Sequence, residues 1–76
     1  MEVKSEEILK KFGKHIKKLR EKRGLSLREM SYICSIDNSK ISKIEQGKIN
    51  ITILTLIELS TALEVSPGEL LGFLKA

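Results

Sequence analysis

The sequence predicts an all-α domain, a compact five-helix bundle, on three observations. No run alternates apolar and polar residues between turn residues, as a half-buried strand would. Apolar residues instead recur at spacings of three and four. Helix-start and helix-stop residues punctuate the chain five times, with connections of about two to six residues.

The first helix is expected to start after Ser5, with Glu6 and Glu7 in its first turn, where the helix dipole favours anions. It carries Leu9, Phe12, Ile16 and Leu19 on one face and stops near Arg23, with Gly24 as a left-handed cap. In "LSLREM" Ser26 and Glu29 form a capping box, flanked by Leu25 and Met30 as a hydrophobic staple, so a second helix runs to about Cys34. Asp37 caps a third helix over 38–46, which Gly47 stops. Thr52 opens a fourth helix that reaches Glu64, with Ile53, Leu56, Leu59 and Leu63 as its core positions. "SPGE" opens the fifth, with Ser66 as cap, Pro67 at its first position and Glu69 completing the box. The fourth and fifth helices together are expected to span about 52–75, and residues 1–76 form one domain.

The 76 residues are 41% hydrophobic and 32% charged, with three aromatics, so the core is aliphatic and small. The lone Cys34 allows no internal disulfide, and no His or Cys spacing suggests a metal site, so neither metal nor cofactor is expected. Cys34 reads as a packing residue, and the sole His15 as a solvated one among lysines, which argues against an enzyme. No stretch is apolar for long enough to span a membrane and no signal-peptide pattern opens the chain, so no membrane partner and a cytoplasmic setting are expected. Charge is divided: residues 1–23 carry +5, residues 24–48 +1 and residues 49–76 −2. A basic half of this kind suits a polyanionic partner.

The stretch "SIDNSKISKIEQGK" holds the third helix. On a wheel of about 100° per residue, Ile41, Ile44 and Glu45 share the inner side, while Ser39, Ser42, Lys43 and Gln46 face outward. That outer stripe has no apolar member, so it suits DNA base edges or water rather than a protein surface. A turn of about three residues joins it to the second helix, the arrangement of a helix-turn-helix unit over about 26–46.

"LSLREMSYICSIDNSKISKIEQGKINITILTLIELSTALEVSPGEL" resembles the Cro-like and Xre-like helix-turn-helix regulators of bacteria and phages, above all in "ISKIEQGK" and in the spacing of its "TLIELSTALEVSPGEL" tail. The resemblance implies a lambda-repressor-like DNA-binding domain that acts as a sequence-specific transcriptional regulator. It implies that Asn38, Ser39, Ser42 and Lys43 read bases, three of them also chosen by the wheel. It further implies that Lys17, Arg28, Lys40, Lys48 and Asn50 contact phosphates, and that Arg20 pairs with Glu45 across a partly buried gap. Three residues depart from the family pattern. Leu27 stands where a phosphate-holding Gln is usual, and Ser35 and Glu64 stand where Gly is usual.

The fourth helix is apolar beyond one core face, and Leu54 and Ile57 lie on its flank. With Phe73 and Leu74 they suggest a self-complementary patch, hence a two-fold homodimer on a palindromic operator in double-stranded DNA. The rival reading gives that patch to another protein, as in an antitoxin or a polymerase-binding regulator. Because the chain stops soon after its fifth helix, no small-molecule ligand is expected.

Overall fold

The computed structural model describes residues 4–74. Among them are five α-helices and one 3-10 turn: α1 Ser5–Lys22, α2 Leu27–Cys34, α3 Asn38–Glu45, α4 Ile53–Leu63, α5 Pro67–Leu70 and the turn Gly72–Leu74. Position 75, expected within the fifth helix, lies outside the described residues.

Side-chain caps set most of these boundaries. Ser26 accepts from the Glu29 amide while the Glu29 carboxylate accepts from the Ser26 amide, and Ser66 and Glu69 repeat the arrangement around Pro67. Asp37 accepts from the Ser39 amide, and Thr52 Oγ1 accepts from the Thr55 amide at 3.2 Å.

At the first helix the expectation needs correction. Ser5 lies inside α1 because the Ile8 amide already reaches the Lys4 carbonyl at 3.0 Å, and Lys4, whose ammonium cannot accept, occupies the cap position without a side-chain bond. The fifth helix is also shorter than expected. It is a single turn, which tightens when the Leu71 amide bonds the Gly68 carbonyl and then passes into the 3-10 turn. That tightening brings the Phe73 ring within 5.9 Å of Phe12 and 6.1 Å of His15. His15 is thus no solvated bystander: half-buried, its Nε2–H donates to the Glu69 carbonyl at 2.7 Å and ties α1 to α5.

One core fills the bundle, built from Phe12 and Ile16 of α1, Met30 and Cys34 of α2, Ile41 and Ile44 of α3, Leu59 and Leu63 of α4, and Leu70 of α5. Burying an aliphatic side chain of this size contributes about 1.5–3 kcal/mol. Cys34 is 6% exposed and burial pushes its thiol up from its ordinary value, as in a packed rather than a reactive cysteine. Ile53 also departs from its expected core position. It stands 72% exposed, and Thr55, tied to Thr52, takes the buried place. The α4 helix therefore begins with its apolar first turn facing outward, beyond the core.

Among the described residues, two with side chains occupy the left-handed region, Ser35 at φ 59° and Glu64 at φ 57°. Both end helices, and Arg23 steadies the second by donating to the Ala62 carbonyl and pairing with Glu64, each at 3.1 Å. The strain at such a position is about 1 kcal/mol. Replacing exposed Ser35 with Gly is expected to raise the melting temperature by about 4–8 °C, read by circular dichroism.

Acid sensitivity follows from the caps. Bonds from Ser26 hold the Glu29 carboxyl below its ordinary 4.5, and bonds from Ser39 hold Asp37 below its ordinary 3.8. A carboxyl whose folded value is depressed contributes stability that is complete above the unfolded value and is lost as pH falls through the folded one. Melting temperature is expected to decline as pH drops below 4.5, and Glu29→Gln, which keeps the box, is expected to decline less.

Candidate nucleic-acid interface

The geometry of α3 begins with how α1 holds it. Residues 10, 13, 17 and 20 form one stripe of α1 at helical spacing, and three of them meet the end of α3. A Cβ built at Gly13 would lie 2.3 Å from the Glu45 carbonyl oxygen and 2.5 Å from that of Ile44, so only glycine admits this crossing. One turn earlier the backbone of Lys10 abuts Gly47, which is left-handed at φ 74°.

Two turns beyond Gly13 lies the ion pair. Arg20 Nε and Nη2 donate to the Glu45 carboxylate at 2.6 and 3.1 Å, and Nη1 donates to the Leu25 carbonyl at 2.7 Å. The two side chains are 9% and 6% exposed, and the carboxylate holds the guanidinium above its ordinary value. Removed from water, such a pair stands only because its donors and acceptors are matched. Glu45 thereby anchors the last turn of α3 to α1.

With Ile41 and Ile44 in the core, the opposite face of α3 looks outward. Ser39 and Lys43 are exposed there, Ser42 is half-buried, and Asn38 is half-buried at the first helical position. Ser39 Oγ donates to Asp37 Oδ2, and Gln46 Nε2 donates to Ser42 Oγ at 2.8 Å. Lys43 adds to the forces that hold the Asp37 carboxyl down.

The other residues singled out by sequence lie on α1, α2, α3 and the loop after it. Lys17, Arg28, Lys40, Lys48 and Asn50 are all exposed: Lys17 on the α1 stripe beside the ion pair, Arg28 in the first turn of α2, Lys40 on α3, and Lys48 and Asn50 in the loop after it. Leu27 packs against the core instead of facing outward, as its apolar side chain dictates. Lys10 and Gln46, which sequence reasoning did not select as site residues, join the site through their contacts with Gly47 and Ser42.

On α4 and in the 3-10 turn, Leu54 and Leu74 are 70% and 55% exposed, and Ile57 is 46% exposed. Ile53 adds to this patch, whereas Phe73 is half-buried against the core. A shallow apolar groove between α1 and the start of α4 runs beside it, lined by Leu9, Phe12, Leu56, Phe73 and Leu74. Among the described residues no cluster of His, Cys, Asp or Glu is arranged to hold a metal, and no helix is long and apolar enough to cross a membrane.

Two short helices joined by a three-residue turn, the second fixed at its base by an ion pair, define a helix-turn-helix domain. The sequence pattern of the helix-turn-helix domain family matches residues 13–72. Control protein C.BamHI of Bacillus amyloliquefaciens is 32% identical over 63 residues, covering 82% of this chain and 78% of that protein. The restriction-modification controller protein C.AhdI of Aeromonas hydrophila has the same fold at TM-score 0.80 and 34% identity, covering 82% of this chain and 94% of the other. The controller protein C.Esp1396I, solved as a tetramer in complex with its natural 35 base-pair operator, matches at TM-score 0.79 and 32% identity over 90% of this chain and 96% of that one. The chain belongs to the Xre-like helix-turn-helix transcriptional regulators.

Proposed function

We propose that the domain binds double-stranded DNA sequence-specifically as a homodimer and regulates transcription in the cytoplasm, with α3 in the major groove of each half of a palindromic operator. The observation that carries this reading is the outer face of α3, polar throughout and free of apolar residues, on a helix locked at its base to α1. A reading helix works only when its frame does not move. The operator complex of C.Esp1396I supports the choice of ligand.

In this arrangement the N-terminal part of α3 enters the groove, where Asn38 pairs with adenine, Lys43 donates to guanine, and Ser39 and Ser42 reach adjacent bases. Lys17, Arg28, Lys40, Lys48 and Asn50 meet phosphates on either side, which supplies affinity and register but no sequence information. Leu54, Ile57 and Leu74 pair with their two-fold mates, and Phe73 supports Leu74 from behind. A small domain reading one half-site gains both affinity and stability from that pairing.

A mobility-shift titration at two salt concentrations tests the function. Binding is expected at 50 mM salt and to weaken by about a thousandfold or more at 200 mM, as a dimer with several phosphate contacts per protomer requires. No binding at the lower salt would leave the rival reading, a protein-interaction module built on the exposed α4 face. Sedimentation tests the dimer: Leu54→Glu is expected to give monomers, and a wild-type monomer at high micromolar concentration would end the dimer proposal.

A further inference from the structure

The two serines on the reading face are wired in opposite senses. A hydroxyl has one hydrogen and two acceptor positions, and unless something fixes its rotor it serves either role. Ser39 spends its hydrogen on the Asp37 carboxylate, which only accepts, so its outward oxygen is left as an acceptor. Ser42 receives a hydrogen from the Gln46 amide, so its own hydrogen is left to give. Three other hydroxyls inside helices behave differently: Ser31, Ser60 and Thr61 turn their hydrogens onto carbonyls of their own helices. Among the described residues Ser42 makes no such bond, although it sits in the middle of a helix.

We propose that Gln46 is a specificity-determining positioning residue that fixes Ser42 as a hydrogen-bond donor to a base, while Asp37 fixes neighbouring Ser39 as an acceptor. This rests on the reading of α3 as the DNA-reading helix. Ser39 then takes a base with an amino group in the major groove, adenine or cytosine. Ser42 takes a base through an acceptor, which is N7 or O6 of guanine, O4 of thymine or N7 of adenine. Every base pair carries an amino donor on one base and an acceptor edge on its partner. Where Ser42 lies over guanine or thymine, which present only acceptors there, reversing its polarity therefore exchanges which base of the pair lies beneath it. Neither Gln46 nor Asp37 needs to touch DNA for this.

Selection of bound duplexes from random DNA tests the wiring, with Ser39→Ala and Ser42→Ala used to mark the base step each serine reads. Gln46→Glu replaces the amide donor with a carboxylate that takes the Ser42 hydrogen. At the Ser42 step it is expected to exchange the two bases of the preferred pair, with a relative preference of about fivefold, the worth of one net hydrogen bond. Gln46→Met, which keeps the bulk and adds no charge, is expected to reduce preference at that step alone. Base preferences are compared within each variant, so a general loss of affinity from the added charge does not mask the exchange. An enriched sequence that is the same for wild type, Gln46→Glu and Gln46→Met would overturn this assignment alone. Wild-type protein that enriches no sequence would overturn it together with the proposed function.

Discussion

Glu45→Ala is expected to cost about 3–5 kcal/mol of folding stability, the usual penalty for leaving one partner of a buried pair unmatched. A domain of this length is stable by about 4–11 kcal/mol, so the variant loses a large share of the total. Its melting temperature is expected to fall by more than about 12 °C. The cause lies in the Arg20 guanidinium, 9% exposed in the intact pair, which would be left with only the Leu25 carbonyl to satisfy it. Arg20→Met combined with Glu45→Leu removes both charges and is expected to recover most of the loss, since apolar replacements of similar volume often match a buried pair. Calorimetry on the three proteins checks the series. A single variant melting within 2 °C of wild type would mean that about 3–5 kcal/mol is the wrong scale for this contact.

Gly13→Ala is the second large effect, and here two terms oppose one another. Alanine in a helix interior is favoured over glycine by about 1 kcal/mol. Against that stands a methyl group 2.3 Å from one backbone oxygen and 2.5 Å from another, neither of which can rotate away. Overpacking of this kind costs about 1–3 kcal/mol or more. The contact is expected to win, with a net loss of about 2 kcal/mol and a displaced α3. Gly68→Ala is the control, because its nearest neighbour would be the Ser66 hydroxyl at 3.8 Å, and it is expected to leave stability unchanged or raise it. Denaturant titration of both variants measures the difference. DNA affinity at temperatures where Gly13→Ala is still folded shows whether the displaced helix still fits its groove.

How much of this was legible in the sequence depends on how local the cause was. Caps act over three residues, so Ser26, Asp37, Thr52 and Ser66 could be found from spacing alone and the helices they open begin where expected. The inner side of α3 followed from periodicity, since Ile41 and Ile44 repeat at helical spacing. What failed was set by contacts across the fold. Ile53 lies on the apolar stripe of α4, but the stripe outlasts the core it packs against, and the first turn protrudes. The fifth helix gives way after one turn because Phe73 finds α1, and nothing in "GELLGFL" announces that partner.

The site shows the same division. Ser39, Ser42 and Lys43 stand out as polar residues opposite isoleucines, a pattern visible in one segment. The pairing of Arg20 with Glu45 joins positions 25 apart and was implied only by resemblance to a family. Gly13 carried no signal, because a glycine inside a helix looks like a mild defect until the carbonyls beside it are seen. Gln46 looked like one more polar residue, and its bond to Ser42 depends on rotamers that spacing does not reveal.

The central claim is that α3 of each protomer lies in the major groove of one operator half-site. Guanine N7 is exposed only in that groove, so methylation protection on duplex DNA enriched by the protein tests the claim directly. Two clusters of protected guanines related by two-fold symmetry are expected, with centres about one helical turn, or roughly 10 base pairs, apart. Protection confined to the sugar-phosphate backbone, with guanine N7 uniformly reactive across the bound duplex, would contradict it.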